Sequence, residues 1–164
     1  MAELTLRPFS AEDSTHLSAW YEEDREGFEQ LLGIAVPDTL ACTLAFNTLL
    51  QQQQTGQTIV QTIDRGDAPI GLAILTEISP DQTVARPHLY IAPSQRRYSL
   101  RAAKTAEDCA KNAGFTGFYT TVRGDNRRAL SLARRLGYQG QTQVMLMKEL
   151  EAWDNFSPPP TPSP

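Results

Sequence analysis

The sequence predicts an α+β domain, a mixed β-sheet of about six to seven strands flanked by helices on both faces. Three observations predict it. The chain has 164 residues, enough for one hydrophobic core and few for two. Apolar residues at 40% and charged residues at 21% are ordinary for a folded chain. Segments of strand and helical period follow one another as β, α, α, α, β, β, β, α, β, α, β, which suits neither a doubly wound nucleotide fold nor a helix bundle.

The elements follow in order. "LTLRPF" (4–9) alternates like a short strand, and Ser10 with Asp13, Leu17 and Trp20 marks a helix start. A second helix around "EDREGFEQLLG" ends at Gly33, which is free to take the left-handed cap. Asp38 caps a third helix whose apolar set is Leu40, Leu44, Leu49 and Leu50. "TIVQTIDRGDAPIGLAILTEIS" reads as a hairpin turning at residues 65–69. "TVARPHLYIA" is the next strand, with Pro87 demoting its first half to an edge or a bulge. A helix over about 96–113 presents Ala102, Ala103, Ala106, Ala110 and Ala113, residues small enough to approach a sheet closely, and Gly114 ends it. "FTGFYTTV" is a strand, Asn126 starts a helix stopped by Gly137, and "QTQVMLMKEL" is the last strand.

The expected division is a domain over 1–150 and a proline-rich tail over 151–164. "SPPPTPSP" has five prolines in eight residues and reads as extended polyproline, a segment that suits docking on a protein partner. No apolar run approaches a membrane span, and the first residues lack a signal-peptide pattern, so a cytoplasmic location is expected, or a virion if the chain is phage-encoded. Cys42 and Cys109 have neither metal-ligand spacing nor a nearby histidine, which leaves buried reduced thiols and no metal.

The net charge of −4 conceals a division: residues 1–85 sum to −10, residues 86–148 to +9 and the last 16 to −3. A basic half beside an acidic half draws an anion to one side and a cation to the other. Nucleic acid is disfavoured as that anion, because no readout motif accompanies the charge.

The chemistry concentrates in "LYIAPSQRRYSLRAA", where a strand turns through a cationic segment into a helix, and in the later "NAGFTGFYTTVRGDNRRALSLARRLGYQ". With "LTLRPFSAEDSTHLSAWY" and "PIGLAILTEIS", these stretches make the chain resemble the GNAT superfamily of acyl-CoA N-acyltransferases over about residues 3–150. The resemblance implies acetyl-CoA, or another acyl-CoA, as cosubstrate and an unidentified amine as acceptor. It also implies that backbone N–H groups at the helix head hold the pyrophosphate, and that the preceding strand splays from its neighbour to pair with the pantetheine arm. Carried onto this sequence, the cofactor residues are Ile91, Arg96, Arg97, Tyr98, Ser99, Leu100, Arg101 and Asn126.

The motif departs from the family pattern. Ser99 and Arg101 stand where two small residues belong, and Arg101 either adds a charged donor or fills the ligand's space. Ala133 replaces the tyrosine that protonates the departing thiolate in many members, and Tyr138 is read as a packing residue. Asn126 has an ordinary N-cap reading beside its cofactor one. Candidates for the base are His88 and Tyr90, on one face of the strand entering the turn, and Glu77 at the end of the preceding strand. The acidic run "YEEDREGFE" falls at the family's acceptor wall, where it either attracts a cationic amine or is a solvated helix face. Two functions remain: an acyltransferase, and a non-catalytic member of the fold serving assembly, for example in a phage particle.

Overall fold

The computed structural model describes residues 3–140 and, for the backbone alone, 145–149. The tail and its expected partner contact lie outside the described residues. β1 (Leu4–Pro8) leads through a single 3-10 turn, Ala11–Asp13, into α1 (Ser14–Glu23), α2 (Arg25–Leu32) and α3 (Thr39–Gln54). The hairpin β2 (Ile59–Arg65) and β3 (Ala68–Thr76) follows, then β4 (Val84–Ile91), a 3-10 segment Pro93–Tyr98, α4 (Ser99–Asn112), β5 (Gly117–Thr121), α5 (Arg127–Arg135) and β6 (Met145–Glu149). The sheet order is β1-β2-β3-β4-β5-β6, antiparallel except for a parallel β4–β5 junction. Among the described residues the sheet has six strands, five in the continuous stretch and the short β6 beyond it.

Helices cover both faces. On one, Leu17, Trp20 and Tyr21 of α1, Phe28 and Leu31 of α2, and Cys42 and Phe46 of α3 pack with Val60, Leu72, Ile74 and Tyr90. On the other, Ala102 of α4 packs with Leu4, Ile63, Ile70 and Ile91, while Ala110 and Ala133 pack with Ala85 and Phe118. Local chemistry sets the ends. Asp24 accepts from Gly27 N–H at 3.2 Å to start α2, and Gly33 at φ 69° closes it. Asp38 accepts from Ala41 N–H at 2.8 Å to start α3. Asp13 is buried and anchors the β1 end of the sheet. It takes Arg7 Nη1 at 2.8 Å, Arg7 Nη2 at 2.7 Å, Ser10 N–H at 2.8 Å and Thr62 Oγ1 at 3.0 Å.

Two expectations need correction and a third is narrowed. Leu40 and Leu44 are 67% and 57% exposed; the buried stripe of α3 is Cys42 and Phe46, because Phe46 meets Phe9 and Phe28. Cys109 is half-buried rather than buried, with Gln61 Nε2 3.8 Å from its sulfur; both cysteines are free. Of the edge or bulge expected at Pro87, the bulge is absent, since Pro87 stands opposite Leu75 in an unbroken β3–β4 register, while β5 pairs only with Val84 and Ala85 and so leaves Pro87 on an edge. Among the described residues, no helix is long and apolar enough to cross a membrane.

Candidate functional site

β4 is held by β3 along six residues, Arg86 to Ile91, but by β5 only at Val84↔Gly117 and Ala85↔Phe118. Past Ala85 the two strands part. Hydrogen-bond parity shows what faces the gap. Ala92, just past β4, donates its N–H to Ile70 O at 2.9 Å, so Tyr90, His88 and Arg86 direct their N–H groups at β3. Ile91, Leu89 and Pro87 therefore turn their amide side toward the gap. Pro87 has no N–H to offer there, so it loses no ladder bond, and the strand tolerates it for that reason. Leu89 and Ile91 present backbone groups along an open edge.

Side chains span the start of the gap. Arg86 Nη1 lies 3.0 Å from Glu77 Oε1, and its Nη2 donates to Thr121 Oγ1 of β5 at 2.7 Å. Tyr119 Oη of β5 donates to the other oxygen of Glu77. These two contacts, the Tyr119 hydrogen bond foremost, hold the Glu77 carboxyl below the usual carboxylate range. Burial, then Glu77, pushes the Tyr119 phenol up to about 12. His88 shares this face, with its Nε2 and Thr76 Oγ1 2.8 Å apart. Burial and, second, Arg86 lower the His88 imidazole to about 4, so it is neutral at pH 7. Tyr90 sits one turn of the pleat away, its ring 4.5 Å from Phe28 and its hydroxyl donating to Trp20 O at 3.3 Å. Burial raises that phenol above its ordinary value, and Asp24 adds to the shift. Glu77 and His88 thus flank the gap, whereas Tyr90 belongs to the aromatic core beneath α1 and α2.

The cationic segment follows β4 directly, and α4 begins at its end. Its geometry departs from an open glycine loop. The Ser99 N–H and hydroxyl both go to Arg96 O, the hydroxyl at 2.7 Å. Tyr98 packs toward Leu4, Ile63 and Ile70, with the guanidinium carbons of Arg65 and Arg97 4.9 and 5.0 Å from its ring centre. Leu100 is half-buried. Arg101 is exposed, a helical step away from the sheet-facing Ala102 and Ala103, and its guanidinium has no partner among the described residues. Arg96 Nη2 reaches Asp24 Oδ2 at 2.5 Å, so the N-cap of α2 is clamped to the turn.

Asn126 caps α5, its Oδ1 accepting from Ala129 N–H at 3.0 Å, while its Nδ2 donates to Gln30 Oε1 of α2 at 3.1 Å. Helix α2 therefore touches both walls, Arg96 on the β4 side and Asn126 on the β5 side. Tyr138 and Ala133 are buried together in the core under α5, the packing role expected of Tyr138.

Glu77, through Arg86, and His88 stand toward the start of the gap, and Ile91 with the 96–101 turn stands at its other end. Sequence reasoning missed Arg86, Tyr119, Thr121 and Asp24. Arg86 lay in view as the third member of the 86, 88, 90 alternation, a charge in a strand between two others. Asp24 carried the capping signal of an Asp three residues before Gly27. The Tyr119 and Thr121 contacts depend on how β5 is placed, which no local pattern encodes.

The chain can be compared with known proteins on this footing. Among curated proteins, none matches its sequence. Solved structures resemble it in fold. An acetyl transferase from Salmonella typhimurium, which modifies the N-terminal serine of a 50S ribosomal subunit protein, superposes with TM-score 0.73 at 14% identity, covering 90% of this chain and 95% of that one. RimJ of Mycobacterium smegmatis, in complex with CoA-disulfide, gives 0.70 at 15% identity, with coverage of 89% and 81%. Spermidine N-acetyltransferase of Vibrio cholerae, in complex with CoA and spermine, gives 0.68 at 17%, with coverage of 89% and 92%. None of these comparisons supports the assembly reading. The family description "Acetyltransferase (GNAT) domain" matches residues 3–139, and with the split β4–β5 pair leading into a cationic helix head, the chain belongs to the GNAT acetyltransferase family.

Proposed function

We propose that this protein transfers an acetyl group, or another acyl group, from coenzyme A to an amine. The observation that carries the reading is the open edge of β4: past Ala85, the backbone groups of Leu89 and Ile91 face a gap that ends at the N-terminus of α4. That edge suits the amides of a pantetheine arm. The helix head, with Arg97, Arg101 and Lys104 exposed around it, suits a pyrophosphate through dipole and charge together. The thioester then lies where β4 and β5 part. Glu77 and neutral His88 stand nearest for proton transfer from the amine, while Ile91 and the 96–101 turn form the cofactor wall and Asn126 stands at the far wall. Tyr90 keeps a packing role.

For the acceptor, the reading favours a cationic amine. Glu22, Glu23 and Glu26 are exposed on α1 and α2, the elements that roof the gap on the face opposite α4. The proline-rich tail is assigned to a protein contact and takes no part in the chemistry.

The test uses the full chain with acetyl-CoA and a panel of spermidine, a peptide beginning with serine, and a neutral hydroxylic compound. Mass spectrometry should find acetylated amine and no acetylated alcohol. Intact acetyl-CoA with no acetylated amine would end this reading.

A further inference from the structure

We infer that the outer face of α5 binds the phosphate backbone of a nucleic-acid duplex, without regard to its sequence. This goes beyond the acyl-transfer reading and does not depend on it. Helix α5 buries Ala133 among Ala85, Ala110 and Phe118, with Leu130 and Leu136 packed beside it. Its exposed residues are Arg127, Arg128, Ser131, Arg134 and Arg135. None of the four guanidinium groups has a hydrogen-bond or ion-pair partner among the described residues. A solvated helix ordinarily mixes signs, with acids about four residues from bases, but α5 contains no acid to neutralise these charges. Arg127 and Arg128 also stand in the first turn, where a cation opposes the helix dipole. The face repels itself as it stands, and an anion laid along it relieves that repulsion.

The arrangement selects among anions. Arg127 with Arg128, and Arg134 with Arg135, form two pairs separated by two helical turns, or about 10 Å along the axis. That length suits an extended polyanion and exceeds one small anion. A protein interface has an apolar centre inside a polar rim, whereas the exposed residue between these two pairs is Ser131. Single strands are gripped by stacking on aromatic rings, yet α5 exposes none, and Tyr138 just beyond it is buried. A duplex backbone needs neither feature. It presents phosphates at regular intervals, and guanidinium forks take them bidentately. A contact made to phosphate alone needs no readout motif, since such motifs serve sequence and phosphate contacts serve affinity.

The experiment uses the full chain and the fluorescence anisotropy of labelled short duplexes of mixed sequence, one DNA and one RNA, with a single strand of equal length beside them. Wild type is compared with R134Q/R135Q and with R127Q/R128Q/R134Q/R135Q, and melting curves confirm folding. Four phosphate contacts predict that the logarithm of the binding constant falls against the logarithm of salt with a slope of about −3 to −4. R134Q/R135Q should bring that slope to about −2, and the fourfold variant should lose binding at low salt. Thiol release from acetyl-CoA with spermidine should be unchanged in R134Q/R135Q. No anisotropy change with either duplex at low salt overturns the inference, as does a slope that the fourfold variant keeps. Tighter binding of the single strand overturns it too. Displacement of the duplex by polyglutamate at equal charge concentration would make the partner an acidic protein and would also overturn it. A wild-type chain that binds duplex with the expected slope but releases no thiol leaves this inference standing while the acyl-transfer reading falls, which separates the two failures.

Discussion

Gly71 lies on β3 opposite Ile91, where a Cβ would meet Tyr90 O at 2.2 Å and Ile91 Cδ1 at 2.8 Å. Because the first obstacle is backbone, G71A must push β4 outward along its open edge, and it should cost about 2 kcal/mol in denaturant melts. Unchanged stability would show that β4 yields freely. His88 supplies a pH signature. Unfolded, its imidazole binds a proton near pH 6.5; folded, burial and then Arg86 keep it neutral down to about 4. The unfolded chain binds more protons between those values, so stability falls as pH drops from about 6.5 toward 4, by about 3 kcal/mol. H88N should flatten that segment of a melting-temperature profile. A parallel, downward-shifted profile would mean that another group titrates there.

The helix α2 links the two walls of the gap, and Asp24 is the residue on which this depends. Its carboxylate caps α2 and occupies Arg96. D24N retains a good N-cap but releases the guanidinium, so CoA should bind at least roughly threefold tighter by calorimetry. An unchanged or weaker Kd would show that Arg96 serves α2 rather than the cofactor. At this scale the limits of sequence reading are physical. Element order, Asp38, Gly33 and the hairpin turn were legible because caps and turns are local. Helix α3 was not, because it carries two apolar stripes at the same spacing, Leu40 with Leu44 and Cys42 with Phe46, and only contact with Phe9 and Phe28 decides between them. Pro87 left an edge and a bulge open for a similar reason, and the sheet decides for the edge. A missing N–H penalises a strand only where a neighbour waits for it, and β5 has already left. Of the site, the cationic turn and its helix were readable from spacing, while the Glu77–Arg86–Thr121 and Tyr119 contacts join three strands and required the sheet.

Across the whole molecule, the charge division seen in the sequence takes a spatial form. The acidic first half supplies α1 and α2 on one face, and the basic half supplies the cationic turn, α4 and α5 across the gap. An anionic cofactor and a cationic acceptor are thereby drawn from opposite faces to the line where β4 and β5 part. Acetyl transfer to spermidine should accordingly lose kcat/KM as salt rises, more steeply than transfer to an uncharged amine. Equal slopes for the two acceptors would remove the acidic rim from the account. Deleting residues 157–164 should leave thiol release unchanged and weaken co-purification with any protein partner; a fall in thiol release would place the tail in the chemistry.

The most direct measurement is calorimetric titration of acetyl-CoA into the full-length chain. The open edge of β4 and the head of α4 predict one site per chain with micromolar affinity, weakened by salt. A flat titration at millimolar acetyl-CoA would contradict the claim that this gap receives a thioester.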